Sequence, residues 1–374
     1  MKPYALFFGL TSEEMHFFNV SITFCVKVKK TISLLMKYGI PVLVGVVLIY
    51  VLYKNVDMHK TLGILRTRVN WWWFVPVFVV SILSHVFRAL RWRLQLRAIG
   101  VRPSVSALVN SIFGTYAVNL AIPRFGEVWR SGYIAKRQQA SFTTVLGSMV
   151  ADRLSDTLTV LVLTIAAFFV AEQQLAQSVD GLHNKFVAIA TSPVVWAAAV
   201  VCIAAVAWLI KGKSQNALVL KVRQMALNLW NGFAGVTKMD GKWTFVLYTL
   251  LIWGCYYMQL YIASQAFDYT CDLGMKAVLV LFVLSSIGMA VPTNGGLGAW
   301  HAAVILGMSF YGFGPFSASD PNIEAYTFAM VVWGMQTLLL IVLGIYAFVS
   351  IAVDSRRIAA GKTKVDLSGD GMQI

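Results

Sequence analysis

Six ionisable side chains stand close together in the sequence, beside apolar stretches of the chain. One group lies in N-L-A-I-P-R-F-G-E-V-W-R, residues 119–130, and the other in M-V-A-D-R-L-S-D, residues 149–156. Guanidinium groups match phosphate oxygens with paired donors, and neighbouring carboxylates can exchange a proton or neutralise the arginines. These residue types therefore favour contact with an anionic phosphate headgroup. The six residues are Arg124, Glu127, Arg130, Asp152, Arg153 and Asp156.

The same charges also allow a purely structural interpretation. Glu127 precedes Arg130 by three residues and Arg153 precedes Asp156 by three, so on helices each pair would share one face. Such pairs could staple the surrounding loop in place without touching a ligand. We expect Arg124, Arg130 and Arg153 to hold the anion and Glu127 and Asp156 to orient or neutralise them. Glu127, Asp152 and Asp156 are also candidates for proton coupling.

A second polar interruption reads S-S-I-G-M-A-V-P-T-N-G-G-L-G-A-W-H, residues 285–301. Its glycines allow a sharp turn, and the N–H groups of a following half-helix could face an anion. The alternative is that the glycines only permit tight helix packing. His301 could carry a proton near neutral pH, although a lone histidine is more often an ordinary hydrogen-bonding residue. Candidate contact residues here and in the first interruption are Thr293, Asn294, Gly295, Gly296, Gly298 and Asn119.

Composition bounds the class of protein. Hydrophobic residues make up 58% of the chain, charged residues 13%, and the mean hydropathy is +0.71. Long apolar runs without period-2 alternation predict an all-α, polytopic helical membrane protein. The net charge of +15 comes from basic residues in short loops, which argues for topology signals and against nucleic-acid binding. No catalytic constellation or metal-ligand spacing is visible among the four cysteines or elsewhere, so we expect no enzyme activity, cofactor or metal.

Loop charges predict how the chain is threaded. The basic loops 88–102 and 211–242 should be cytoplasmic, and 172–192 and 312–324 should lie outside. These sides are consistent only if the segment 104–122 enters the membrane and returns, so we predict it to be re-entrant, with 275–311 as a second broken segment. The loop 54–70 is basic yet should lie outside, and we interpret it as an interfacial helix. The six predicted full spans are 38–53, 71–90, 143–171, 193–210, 243–267 and 324–352.

An internal repeat links the two interruptions. AIPRFG at 121–126 and AVPTNG at 290–295 each close a hydrophobic run with Pro-x-x-Gly, 169 residues apart. The predicted topology gives the two units opposite orientations, and inverted repeats with broken helices are typical of transporters whose substrate binds near the breaks. The predicted organisation is an N-terminal interfacial segment (1–37), one transmembrane domain (38–352) with repeats at about 71–171 and 240–352, and a cytoplasmic tail (353–374).

At these residues the chain resembles the lysylphosphatidylglycerol synthase transmembrane family, also called the flippase-like domain family. The matching features are N-L-A-I-P-R-F-G-E-V-W-R at 119–130, A-D-R-L-S-D at 151–156 and P-T-N-G-G-L-G at 292–298, within a similarity that covers roughly 71–350. The resemblance implies movement of a lipid or lipid-linked group between leaflets of a bacterial inner membrane. A membrane lipid with an anionic headgroup is then the expected partner.

Two departures from the family pattern stand in the second motif. The family often has Pro-Gly-Gly where this chain has Asn294-Gly295-Gly296, and often a glutamate where this chain has His301. The short tail after Ser350 leads us to expect no aminoacyl-lipid synthesis by this chain. Two alternatives remain open: a secondary transporter of a small anion or solute, and a membrane enzyme that acts on a lipid phosphate through Asp152 and Asp156.

Overall fold

The computed structural model of the protein describes residues 39–170, 193, 239, 241–291 and 293–360. These residues form an all-helical structure in which the only β pairing is an isolated bridge between Val69 and Phe267. The predictions for the N-terminal segment, for the span 193–210, for most of the loops 172–192 and 211–242 and for the end of the tail lie outside the described residues. So does Pro292 of the second motif.

The described residues contain ten α-helices, which we number in chain order. They are α1 (Ile40–Tyr53), α2 (Met58–Thr67), α3 (Phe74–Ala98), α4 (Val105–Ala121), α5 (Gly126–Arg137), α6 (Phe142–Val170), α7 (Lys242–Ser264), α8 (Gly274–Gly288), α9 (Ala299–Ser309) and α10 (Ile323–Ala359). Short 3-10 turns at Trp71–Trp73, Cys271–Leu273 and Asn294–Gly296 precede α3, α8 and α9.

Four of the described helical segments are long and apolar enough to cross a membrane, namely Trp71–Ala98, Lys242–Ser264, Cys271–Gly288 and Ile323–Ile358. A fifth crossing is possible if α1 and α2, which meet at 86°, act as one broken span. The chain is therefore an integral membrane protein. The predicted spans 71–90 and 324–352 are helical almost throughout, and 243–267 is helical to Ser264. Residues 143–170 of the predicted span 143–171 lie in α6, which is not one of the four membrane-length apolar segments. Two of these helices are longer than predicted: α3 continues to Ala98, and α10 extends to Ala359, into the expected tail.

The first interruption turns the chain back on itself. The helix α4 ends at Ala121 because Ile122, which precedes Pro123, is extended, and Arg124 then takes a left-handed conformation with φ +59°. The helix α5 starts at Gly126, where an added Cβ would lie 2.2 Å from the carbonyl oxygen of Thr115. The start of α4 and the end of α5 meet around one pocket, lined by residues 99–102 and 138–141. The segment is thus a helical hairpin, the shape expected of a re-entrant loop.

The second interruption forms a similar hairpin from α8 and α9. Gly295, Gly296 and Gly298 have φ values of +58°, +78° and +79°, which L-residues with side chains rarely adopt. The hairpin begins just after Asp268, which pairs with Arg68. It leads into the segment 310–322, whose Ala318 carbonyl accepts a hydrogen bond from Asn55. Both of its ends thus lie at the α3 N-terminal end of the molecule, opposite to the ends of the first hairpin.

Corresponding helices of the two predicted repeats pack against each other. Val69 bridges Phe267 at one end of the α3–α7 pair, whereas Arg91 lies against Phe245 and Thr249 near the other end, so these two helices are antiparallel. The pairing continues crosswise, because α4 packs on α10 and α8 packs on α6. The long helix α10 of the second repeat therefore packs on the first hairpin, and the long helix α6 of the first repeat packs on the second hairpin.

The basic loop 54–70 has a local explanation. Its central part is the helix α2, as expected, and Asp57 caps its first turn by accepting from the N–H groups of His59 and Lys60. Arg68 donates through Nε to both carboxylate oxygens of Asp268 at 2.9 Å and through Nη1 to Glu324. These hydrogen bonds hold the pKa of Arg68 above its usual value. Asp268 and Glu324 thus neutralise Arg68, and the count of basic residues in the loop could not show this.

Candidate functional site

The two interruptions touch each other. The side-chain amide of Asn294 donates to the carbonyl oxygens of Leu120 at 2.9 Å and Ala121 at 3.2 Å. In the other direction, the Arg124 guanidinium donates to the carbonyl oxygen of Ala290. The last carbonyls of a helix have no partner within the helix, so Asn294 caps the end of α4. Arg124 satisfies a carbonyl just beyond the end of α8. We call the paired segments 120–126 and 289–298 the two breaks.

A half-exposed ion pair lies beside the first break. Arg153 donates through Nη2 to Glu127 Oε1 at 2.7 Å, and these side chains are 36% and 16% exposed, respectively. The Asn119 side-chain amide donates through Nδ2 to both Glu127 oxygens at 3.4 Å, and its Oδ1 accepts from the Gly126 N–H at 2.7 Å. Glu127 also lies in the first turn of α5, where the helix dipole favours a negative charge. We call Glu127 and Arg153 the break pair.

Behind the break pair lies a buried charge network. Arg91 donates to Asp152 Oδ1 and to Asp156 Oδ1, both at 2.7 Å. Arg88 reaches Asp156 Oδ2 at 2.8 Å, and Arg130 reaches Asp152 Oδ2 at 3.3 Å. The Arg91, Arg130 and Asp152 side chains are 0% exposed, and those of Arg88 and Asp156 are 4% and 10% exposed. The buried charge network consists of Arg88, Arg91, Arg130, Asp152 and Asp156.

The network changes the roles expected from helical spacing. Arg153 and Asp156 do meet, at 3.5 Å, as their spacing indicates. Glu127 forms no hydrogen bond or ion pair with Arg130 among the described residues and pairs with Arg153 instead. Arg130, Asp152 and Asp156 are occupied with one another and with α3, whereas Arg124, Glu127 and Arg153 remain near the surface. The structural interpretation thus fits Asp152 and Asp156, and Arg124, Glu127 and Arg153 are placed for binding. Arg130 contacts Asp152 but keeps two donors without a partner.

Sequence reasoning missed Arg88 and Arg91 as site residues. Both were assigned to the basic loop 88–102, but α3 continues to Ala98 and buries them. Their spacing of three residues within a continuing helix, with no acid nearby in sequence, was the available signal. Charges that stay in a membrane helix are costly and need partners, and here the partners are the α6 aspartates.

The second break contributes polar groups without a fixed charge. Thr293 is buried with its hydroxyl unpartnered, and Asn294 has an unpartnered carbonyl oxygen. The carbonyl of Gly295 accepts from Trp333 Nε1 at 2.9 Å. At Gly298 an added Cβ would lie 2.4 Å from the Cβ of Leu48, so α1 packs directly on this break. The predicted glycines therefore shape the turn and its contact with α1.

His301 is buried among aromatic side chains of the protein. It is buried, its Nδ1 atom accepts from the Gly298 N–H at 3.3 Å, and the rings of Tyr53, Trp300 and Trp333 surround it. This arrangement fits a residue that caps the first turn of α9. Proton coupling through His301 stays a prediction.

A family comparison covers the residues of this site. The family described as the lysylphosphatidylglycerol synthase TM region matches residues 39–344, which include both breaks, the break pair and the buried charge network. The chain belongs to this family. Comparison with curated proteins and with solved structures gave no match. In this lysylphosphatidylglycerol synthase TM region, the described residues contain no group of three or more His, Cys, Asp or Glu side chains that could hold a metal ion.

An exposed apolar stripe runs along α6 of this family member from the level of the break pair. Its residues recur every three or four positions, on one face of the helix, and are 37–64% exposed. Arg153 is directly followed by one of them, so a half-exposed charge lies next to a lipid-like surface. We call this the α6 stripe; it consists of Val150, Leu154, Leu158, Leu161 and Ile165.

Proposed function

We propose that this protein moves a lipid with an anionic headgroup between the two leaflets of a bacterial inner membrane. The observation that carries the proposal is the contact between the two breaks, with Arg124 and the break pair beside it. Movement would be passive or coupled to an ion gradient. Membership of a family whose membrane region is often linked to flippase-like function supports the lipid over other cargo.

The packing of the halves supports an inverted-repeat transporter. The helices α3 and α7, which correspond under the 169-residue shift, run antiparallel, and the hairpins enter from opposite ends. Opposite entry brings two broken helices to one level, where transporters of this kind place their substrate. We propose six full spans and two re-entrant hairpins, with the headgroup passing where the breaks meet.

The α6 stripe favours a lipid over a small solute. A lipid carries its acyl chains in the membrane, so its transporter must offer a charged group and an apolar surface side by side. Arg153 and Leu154 provide this, being 36% exposed at the side chain and 46% exposed overall, respectively.

The buried charge network argues against the enzyme alternative. A phosphate-transferring enzyme would need Asp152 or Asp156 as a nucleophile or metal ligand. Both carboxylates instead accept hydrogen bonds from arginines at 2.7–3.0 Å, which lowers their availability to attack phosphorus. Purified protein that converts a lipid phosphate without moving it would favour the enzyme.

Leaflet-resolved lipid movement in proteoliposomes tests the proposal. We expect the wild-type protein to move an anionic lipid faster than protein-free vesicles do, and Arg124→Ala and Glu127→Gln to slow it by tenfold or more, about 1.4 kcal/mol. Arg137→Ala is the matched control, because its side chain pairs with Asp354 at 3.5 Å, away from the breaks. If both break variants fold and keep the wild-type rate for every anionic lipid tested, the proposed site is wrong.

A further inference from the structure

The charges around the breaks do not balance. Three arginines face two aspartates in the buried charge network, and the break pair contains one charge of each sign. Arg124 lies at the first break and forms no ion pair with the described residues. Within this set of residues two positive charges are therefore left over, one inside the network and one at the break.

The leftover charge inside the network is best assigned to Arg130. Arg91 takes the short contacts to Asp152, whereas Arg130 reaches this carboxylate through a single nitrogen at 3.3 Å. Its Nε and Nη1 atoms have no hydrogen-bond partner although the side chain is fully buried. The face of Trp92, 4.5 Å from the guanidinium centre, replaces only part of the lost hydration. A buried cation with idle donors is costly unless an anion completes it.

The leftover charge at the break belongs to Arg124. Its side chain is exposed, its only recorded hydrogen bond goes to the neutral carbonyl of Ala290, and a guanidinium offers five donors. Its φ of +59° is unusual for a residue with a long side chain. Backbone strain of this kind persists at ligand clamps and switches, where the surrounding structure holds it in place. Arg124 is thus held at the contact between the breaks with most of its donors free.

We propose that the transported lipid ends in a phosphate with two negative charges, such as a phosphomonoester or a terminal diphosphate. The inference rests on the proposed function and narrows its substrate. A phosphomonoester carries about 1.5 to 2 negative charges at neutral pH, which matches the two unbalanced arginines. A phosphodiester headgroup carries one negative charge, and a zwitterionic or lysylated headgroup adds a cation that the arginines repel.

A pair of lipids that differ by one charge tests this inference. Proteoliposomes at pH 8 receive labelled phosphatidic acid or its phosphate methyl ester, with the same acyl chains, and movement between leaflets is followed for each. We expect phosphatidic acid to move about tenfold faster or more than the ester, and faster than phosphatidylethanolamine. Equal rates for the acid and the ester would overturn the inference while the proposed function stands.

Two further arms separate the sources of the phosphate and the part played by Arg124. Labelled inorganic phosphate that crosses the vesicles while no lipid moves would overturn the proposed function and with it the lipid in this inference. Arg124→Gln should reduce the preference for the acid over the ester, and Arg124→Lys, which keeps the charge, should retain most of it. A full preference in Arg124→Gln would contradict the role given to this charge.

Discussion

Asn294 donates a hydrogen bond from its side-chain amide to the main-chain carbonyl of Leu120, 2.9 Å away across 174 residues of sequence. The bond caps the C-terminal end of α4, and Arg124 makes the reciprocal contact to Ala290. In the proposed topology both breaks lie inside the membrane, and these contacts satisfy carbonyls at or just beyond two helix ends. Because unpaired backbone groups are costly there, separation of the breaks requires water or a polar ligand to replace these bonds.

Loss of this cap should weaken both stability and transport. Asn294→Ala removes two hydrogen bonds, and we expect about 1 kcal/mol lower stability, measured by unfolding in detergent. Lipid movement should change as well. Asn55→Ala is the control, because this amide also donates to a distant carbonyl, that of Ala318 at 2.7 Å, but away from the breaks. Equal effects of the two variants on transport would argue that the break contact has no special role.

Asp152 should be one of the least replaceable residues of the chain. Asp152→Asn leaves Arg91 and Arg130 buried without their shared carboxylate, which we expect to cost about 3–5 kcal/mol of folding stability. Asp354→Asn removes a carboxylate that is 33% exposed and pairs at 3.5 Å, so its cost should stay below about 1 kcal/mol. The midpoint of unfolding in detergent compares them, and similar midpoints would contradict the network.

The first break should not tolerate a methyl group at its turn. In Gly126→Ala the new Cβ would meet the Thr115 carbonyl oxygen at 2.2 Å, so we expect a loss of about 1–3 kcal/mol from overpacking. In Gly132→Ala, in the same helix, the new Cβ would lie 3.9 Å from the Phe142 ring, and the variant should be neutral or stabilised by about 0.5–1 kcal/mol. A stabilised Gly126→Ala protein would show that the tight turn is wrong.

His301 offers a test of proton coupling. In His301→Asn the side-chain oxygen can still accept from the Gly298 N–H, so the cap of α9 is kept while the titratable ring is lost. If the histidine only caps the helix, lipid movement with and without a pH gradient should match the wild type. Loss of the response to the pH gradient in a well-folded His301→Asn protein would instead show that His301 takes part in proton coupling.

The helical class and the location of both breaks were predictable from the sequence, because apolar runs and Pro-x-x-Gly punctuation are local signals. The role of Arg88 and Arg91 was not. A charged residue at the end of an apolar run normally indicates that the chain leaves the membrane there. The aspartates that pair with these buried arginines lie 61–68 residues away in the sequence. The contact between Asn294 and Leu120 could not be predicted for the same reason, since nothing near either residue in the sequence indicates its partner. Long-range polar pairing was what the sequence could not provide.

A reversible cross-link between the breaks tests most directly whether the headgroup passes where they meet. A side chain at Gly295 would point at Leu120, since an added Cβ would lie 2.6 Å from the Leu120 Cδ2 atom, and a smaller cysteine at 120 makes room for it. In a background without the four native cysteines, we measure leaflet-to-leaflet movement of an anionic lipid by Leu120→Cys/Gly295→Cys protein, oxidised and then reduced in the same vesicles. The account predicts that the oxidised form is blocked and that reduction restores movement. Equal movement by the fully cross-linked and reduced forms would contradict it.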